Sequence, residues 1–428
     1  MSGLQPQGGG TKLGLPTPGD IVKPLAMQQR TISFTGWRLA VLISGLIAVV
    51  SLVRIVTGAQ QIDSAGTIAA AIGFAIPIGM AGLGGLWSER SGVVNIGLEG
   101  MMILGTWGAG WAGTTWGPWY GLLAGTVLGG IGAVIHAIAT VSFGVDQIVS
   151  GVAINLLGLG ATQYLSTLVW PNQPTQSPTI PAIPTFTLPG FSDAMKTIAD
   201  KGWFFVSDIA SVLRAITYDV PYTTFIAVIL LPITFFVLWR TSFGLRTRSC
   251  GEAPHAAESL GVNVYFHKYF AVIVSGFLAG FGGAVLATVL SGIYREGQTQ
   301  GLGFIGLAAM IFGNWRVGGL AAGALLFGYT QAIQLRSGLA VHALLLVVVV
   351  LLVLMAALFF YQRKSRSGVI ALIVAGLVFA WYATTETLPD QVAYVTPYVA
   401  TLLVLSLASQ RLRMPAADGR PYIKGQDH

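Results

Sequence analysis

From Leu39 to Leu407 the chain alternates between long apolar runs and short polar turns, and its charges are confined largely to the turns. A helix rising about 1.5 Å per residue needs roughly 20 apolar residues to cross some 30 Å of hydrocarbon. Backbone amides cannot stay unpaired in that medium, so each run must be helical. Of the 428 residues, 54% are hydrophobic and only 9% charged, whereas a soluble domain carries roughly a quarter charged. The fold class is therefore all-α: a polytopic membrane helical bundle of about twelve apolar segments.

The segments fall at about Leu39–Val56, Thr67–Trp87, Ile96–Gly113, Trp119–Val141, Ile148–Val169, Tyr222–Trp239, Tyr269–Leu290, Gly303–Phe312, Val317–Leu335, Val341–Tyr361, Gly368–Ala383 and Tyr394–Leu407. Gly303–Phe312 is short for a crossing and reads as a half-helix. Residues 1–38 are polar and Gly/Pro-rich without the apolar core of a signal peptide, so they read as a disordered cytoplasmic tail. Residues 39–410 form the membrane-spanning domain, and 411–428 a second cytoplasmic tail. The longest polar stretch, 171–221, opens with six prolines. It then shows helical spacing from Ser192 to Thr217, which predicts one or two amphipathic helices on the outer surface.

Charge orients the bundle. With both ends inside, the basic residues on the cytoplasmic side are Lys12, Lys23, Arg30, Arg38, Arg90, Arg240, Arg246, Arg248, Lys268, Arg316, Arg363, Lys364, Arg366, Arg411, Arg413, Arg420 and Lys424. Outside remain Arg54, Lys196, Lys201, Arg214, Arg295 and Arg336. Seventeen against six is the bias that cytoplasmic loops carry, and dropping any one segment would reverse it for several turns. The net charge of +7 therefore orients the chain and is no footprint of nucleic acid.

The cytoplasmic loop 240–268 is the longest polar interruption with clustered positive charge. Its centre, Glu252–Leu260, reads as a short helix with Pro254 in the first turn and Gly261 just past the end. Such a helix is a handle for a soluble partner. The single cysteine, Cys250, lies beside it, so no intrachain disulfide can form.

Enzyme chemistry has little to stand on. No GxxxxGK[ST] loop occurs, and Gly301-Leu-Gly303-Phe-Ile-Gly306 matches a dinucleotide pattern only by letter, opening an apolar segment after no strand. The five histidines show no metal-ligand spacing, and no cofactor is implied. The informative residues are polar groups within apolar surroundings, which face protein or a water-filled path. Asn95 and Glu99 share a helical face, and Gln147 and Asn155 flank the fifth segment; these four are the candidate pathway residues. Glu89 and Arg90 read as turn residues satisfied by neighbours, Asp146 as an interhelical hydrogen-bonding group, and His136 as a packing residue. Tryptophans 87, 107, 111, 116, 119 and 170 sit near segment ends, as interfacial belts do. The 56 glycines include pairs four apart (Gly125/Gly129, Gly276/Gly280, Gly319/Gly323) suited to close helix contact.

Four blocks carry a family resemblance: SERSGVVNIGLEGMM (Ser88–Met102), DQIVSGVAINLLGLGAT (Asp146–Thr162), FGLRTRSCGEAPHAAESLGVNV (Phe243–Val264) and GFIGLAAMIFGNWRVGG (Gly303–Gly319). With PYVATLLVL (Pro397–Leu405), their order and spacing resemble permeases of ABC importers in the simple-sugar/nucleoside branch, in particular nucleoside permeases served by basic-membrane-lipoprotein receptors. The resemblance implies a multi-pass protein of the bacterial cell membrane that passes nucleosides, with simple sugars as the runner-up. It implies three partners: an ATPase subunit that hydrolyses the ATP, a second permease and an extracytoplasmic lipoprotein. It makes the loop helix the coupling helix, through Arg248, Gly251, Glu252, Pro254, Ala256, Ala257, Glu258 and Gly261. Family permeases have about ten spans, so 341–383 looks like an extra hairpin. From another class, an ion-coupled transporter working alone would use Glu99 or Asp146 as a proton site.

Overall fold

The computed structural model describes residues 36–336, 338–386, 388, 395 and 412–425. The chain divides into two units, Met1–Leu46 and Ile47–His428, and the described part of the first is the opening of α1. The expected tail up to residue 35 and most of the Tyr394–Leu407 run lie outside the described residues. Gly36–Arg38, expected in that tail, are the first residues of α1.

Fifteen α-helices are described. They are α1 (Gly36–Thr57), α2 (Ala65–Arg90), α3 (Leu98–Trp116), α4 (Pro118–Ala137), α5 (Gln147–Val169), α6 (Phe191–Ala199), α7 (Val206–Ala215) and α8 (Tyr222–Arg240). The remainder are α9 (Ser242–Glu252), α10 (Pro254–Ser259), α11 (Val264–Val285), α12 (Leu302–Phe312), α13 (Val317–Gln334), α14 (Gly338–Tyr361) and α15 (Ser365–Thr384). Eleven of the predicted runs thus overlap a helix. Among the described residues, seven helices are long and apolar enough to cross a membrane: α2, α4, α5, α8, α11, α14 and α15. α12, with 11 residues, spans only about 16 Å, half the hydrocarbon depth.

α4 and α11 each end in a π-helical turn, Ile138–Ser142 and Leu286–Ser291. In each a threonine hydroxyl bonds back one turn, Thr140 to the His136 carbonyl and Thr288 to that of Ala284. Such back-bonding competes with the regular ladder and widens it. Within 171–221 the two amphipathic helices expected there form, α6 and α7, closed at the base by a short antiparallel pair, β1 (Thr185–Phe186) with β2 (Val220–Pro221).

The core lies between α2, α3, α4, α11, α12 and α13, and glycine decides how close these helices come. A methyl group on Gly129 of α4 would sit 2.5 Å from the Gly276 carbonyl of α11. One on Gly280 would sit 2.6 Å from the carbonyl of Gly125. The two glycine pairs seen in the sequence are therefore halves of one contact. Gly319 and Gly323 meet the facing turn at Gly313 and Ala309 in the same way. With lipid as apolar as leucine, van der Waals contact of bare backbones is what holds such helices together. α14 and α15 pack on each other at the edge, joined to the bundle through a small cluster around Ile333, Val341 and Val347.

Gly280→Ala should therefore lower stability by about 1–3 kcal/mol, the usual cost of overpacking. Gly160→Ala on α5, whose methyl would meet nothing within 4 Å, should cost nothing. Unfolding of the two purified variants in detergent, compared with the parent protein, checks both.

Candidate functional site

Three turns and one terminal segment meet at one end of the bundle: the α2–α3 turn, the α9–α10 loop, the α12–α13 turn and residues 412–425. The α9–α10 loop is more helical than its sequence suggests. Thr241 accepts the Gly244 amide at 3.1 Å and so starts α9, which runs to Glu252. Glu252 thus closes α9 and is not the start of the short helix. The chain breaks at Ala253, whose ψ of 81° sets Pro254 at the first position of α10. Gly261, with φ of +80°, stops it.

One face of this loop is anchored. Cys250 and Ala257 are buried with Val264, and burial pushes the Cys250 thiol up to about 11. Gly251 rests on the backbone of Arg90 and Gly92 so closely that a side chain there would displace it. Arg248 does not face outward: its Nε donates to the Leu238 carbonyl at 2.9 Å, over the Trp239 ring. The other face is open, with Glu252, Ala256 and Leu260 exposed. Leu260 is 86% exposed at the tip of α10. Sequence reasoning passed over it because its position in the turn before Gly261 carries no polar signal.

Glu89 and Arg90 clasp one residue. Trp315 donates its indole N–H to Glu89 at 2.6 Å, and Arg90 donates to the Trp315 carbonyl at 2.6 and 3.2 Å. Asn314 and Trp315 both have positive φ, 54° and 52°, in the turn where the half-helix α12 reverses into α13. The two charged residues thus hold a turn that departs from the favoured backbone.

Behind this end, Gln147 and Asn155 close on the irregular stretch Ser91–Gly97, which holds Asn95 outside the helix it was expected to share with Glu99. Gln147 accepts the Val94 amide at 2.6 Å. Asn155 accepts from Gly100 at 2.7 Å and donates to the Ile96 carbonyl at 3.2 Å. Asn95 donates to Ser275 at 2.6 Å, while its Oδ1 is buried with no partner among the described residues. His136 lies within 2.8 Å of the Ser150 hydroxyl and 3.2 Å of the Val94 carbonyl. Asp146 caps α5 by accepting from Ile148 and Val149, each at 2.9 Å. Glu99 accepts from the Thr299 hydroxyl (2.6 Å) and the amides of Gly301 (2.9 Å) and Gly303 (2.7 Å). A carboxylate at the N-terminus of α12 meets both its orphan amides and its dipole.

At the opposite end a buried trio ties the outer helices down. Arg54 of α1 lies 2.9 Å from Asp63 and 3.3 Å from Asp208 of α7, and Ser51 accepts the Phe205 amide at 3.0 Å. Burial, reinforced by the hydrogen bond to Asp208, raises Asp63 to about 8 against the pull of Arg54. Asp208 is lowered: burial opposes this, but its bonds to Asp63 and Ser51 and the Arg54 charge outweigh it. Asp63 therefore keeps the shared proton. Nearby a cavity of about 350 Å³ is lined by Phe74, Leu290, Glu296, Gln298, Gln331 and Gln334, among others. Of the predicted tryptophan belt, Trp116 and Trp119 are exposed. Trp87, Trp107 and Trp170 are instead buried packing groups, with Trp107 and Trp170 clustered on Tyr294.

Residues 67–358 match the model of the "branched-chain amino acid transport system / permease component" family. The chain belongs to that family. It is a transport subunit, and a multi-pass protein of the cell membrane. It is 35% identical over 366 residues to the guanosine ABC transporter permease protein NupQ of Bacillus subtilis (strain 168), covering 84% of this chain and 97% of that one. It is 30% identical over 361 residues to the nucleoside ABC transporter permease protein NupC of Lactococcus lactis subsp. cremoris (strain MG1363), covering 82% and 95%. The putative glucose ABC transporter permease protein TsgC13 of Haloferax volcanii is 31% identical over 371 residues, covering 85% and 99%. No solved structure matches significantly. The family match ends inside α14, within the expected extra hairpin.

Two outcomes follow from this geometry. Glu99→Ala removes a charged acceptor, worth about 1.5–3 kcal/mol per bond, so the Gly303 amide should exchange with solvent at least ten times faster. Between about pH 4 and 8 the folded protein holds the Asp63 proton that the unfolded chain has lost, so the contribution of Asp63 to anchoring the outer helices falls as pH rises through that window and is flat above it. Limited proteolysis within Ser192–Thr217 should therefore quicken from pH 6 to pH 9, and Asp63→Asn should flatten the dependence.

Proposed function

We propose that this chain is the membrane-spanning subunit of an ATP-driven ABC importer for nucleosides, purine nucleosides above all. The observation that carries the mechanism is α10: a helix anchored on one face by Cys250 and Ala257 and bare on the other, with Leu260 projecting from its tip. An anchored knob of this kind suits a cleft on a separate ATPase subunit, since buried apolar anchors supply most of the energy in such contacts. The likeness to NupQ and NupC supports the substrate. TsgC13 supports a simple sugar as the second reading, and both classes are uncharged, hydroxyl-rich solutes.

In this reading twelve segments cross the membrane with both termini in the cytoplasm, a second permease completes the passage and a lipoprotein receptor delivers the solute to the outer loop 171–221. ATP binding in the partner moves α9 and α10 together. Gly251, seated on Arg90 and Gly92, passes the motion to the end of α2, and the Trp315 clasp passes it to α12. The coupling set is Arg248, Gly251, Glu252, Pro254, Ala256, Ala257, Glu258 and Gly261, with Leu260 added; Arg248 and Gly251 act from within the loop, not at its surface. Asn95, Glu99, Gln147 and Asn155 shape the passage, and the buried Asn95 Oδ1, without a partner among the described residues, supports Asn95 as the one that meets solute when the path opens.

The test is uptake of labelled guanosine in vesicles holding this chain with and without its ATPase, partner permease and receptor. Uptake should require ATP and all subunits; full uptake by the chain alone under a proton gradient would reject the proposal. Leu260→Asp should abolish co-purification of the ATPase while leaving the membrane level of the chain unchanged.

A further inference from the structure

Residues 412–425 lie across the coupling loop as a strap with a tight turn at 416–419, and their contacts reach each of the three turns at that end. Arg413 donates its amide to the Asn314 side chain at 2.7 Å, in the α12–α13 turn. Ala416 donates to Glu252 at 3.2 Å, and Ala417 to the Gly251 carbonyl at 2.9 Å. Gly92, in the α2–α3 turn, lies against the Ala417 carbonyl, and Val94 against Gly419. Tyr422 is buried over Cys250, Ala257 and Val264, with its ring 5.2 Å from His255 and 5.4 Å from Tyr265. Burial, and after it the Glu258 carboxylate of α10 beside its hydroxyl, holds the Tyr422 phenol above its usual range.

We infer that this strap makes the coupling loop, the α2–α3 turn and the α12–α13 turn move as one body, and that Tyr422 and Asp418 are its positioning residues in transport. The inference rests on the reading of α10 as the ATPase-facing helix. Without the strap, α10 would bear on the bundle mainly through the short Gly251 contact and the core around Cys250. With it, a displacement of α10 also pulls on the turn that ends the half-helix. Asp418 fastens the middle. Its carboxyl lies against that of Glu89, the residue that holds Trp315, and near Lys268 and Arg90. Burial raises Asp418 to about 7 against the opposing pull of Lys268 and Arg90. Lys268 also donates to the Gly92 carbonyl at 3.1 Å, under the strap. Pro415, Ala417 and Tyr422 are buried, while Met414, Arg420 and Lys424 face out, as in a segment laid on a surface.

Cys250, the sole cysteine and 0% exposed beneath Tyr422, reports whether the strap is seated. The experiment uses the whole transporter, with Tyr422→Ala, Tyr422→Phe, Asp418→Ala and Asp418→Asn in this chain. In Tyr422→Ala, maleimide should label Cys250 at least tenfold faster than in the parent. The guanosine moved per ATP hydrolysed should fall at least fivefold, with the ATPase subunit still bound. Tyr422→Phe keeps the ring and Asp418→Asn keeps a hydrogen bond, so both should hold labelling and ratio near the parent values, while Asp418→Ala should lower the ratio. Unchanged labelling in Tyr422→Ala would overturn the seating, and faster labelling with an unchanged ratio would overturn the role. Loss of the ATPase from Tyr422→Ala would replace it with simple docking. Should Tyr422→Ala fail to assemble, the Asp418 pair decides: equal ratios in Asp418→Ala and the parent overturn the inference. If instead Leu260→Asp keeps the ATPase and full uptake while the strap variants label faster, it is the reading of α10 that fails.

Discussion

Wherever the backbone leaves a helix inside a membrane bundle, its amides and carbonyls must be met by other groups of the protein. That requirement organises this structure. The chain breaks its helices at Ser91–Gly97, before α12 and after it, and each break is closed by side chains from distant segments. Gln147, Asn155 and His136 close the first, Glu99 the second, and Glu89 with Arg90 the third. The same few polar residues that make the sequence unusual are thus what allows α12 to be a half-helix at all. Glycine is the complementary device: at Gly100 it lets α3 lie against Ile154 and Asn155 of α5, and at Gly303 it lets the start of α12 lie against Glu99.

The two ends of the bundle use charge differently. Around Trp315 and Asp418 the ionisable groups join turns that belong to separate segments. Around Arg54 they hold a surface hairpin against the helices beneath. Both clusters bury two carboxyls side by side, and in each burial lifts one of them, Asp63 or Asp418, well above the usual carboxylate range.

Much of this was legible in the residues. Apolar period and length located the helices, because hydrocarbon allows little else; Gly303–Phe312 was short, and it is short in the fold. Pro254 and Gly261 marked the ends of α10 because their backbone preferences are local. Glu252 was misplaced by the same logic: the Thr241 cap is a local sign that α9 starts, but how far it runs depends on the packing of Gly251 against Arg90 and Gly92, which is not local. The roles of Glu99 and Trp315 were hidden as well. Their partners lie more than 190 residues away, and one sequence carries no record of such pairs. The strap was invisible for a related reason: Ala417 and Tyr422 look like ordinary tail residues until the surface they cover exists.

The position of Glu99 also bears on what the bundle interior can hold. The first turn of a short helix in the middle of a bundle is an electropositive spot, where a phosphate or carboxylate would come to rest. Here a carboxyl group of the chain itself already occupies it, hydrogen-bonded to Gly301, Gly303 and Thr299. No seat for a free anion is left at that turn.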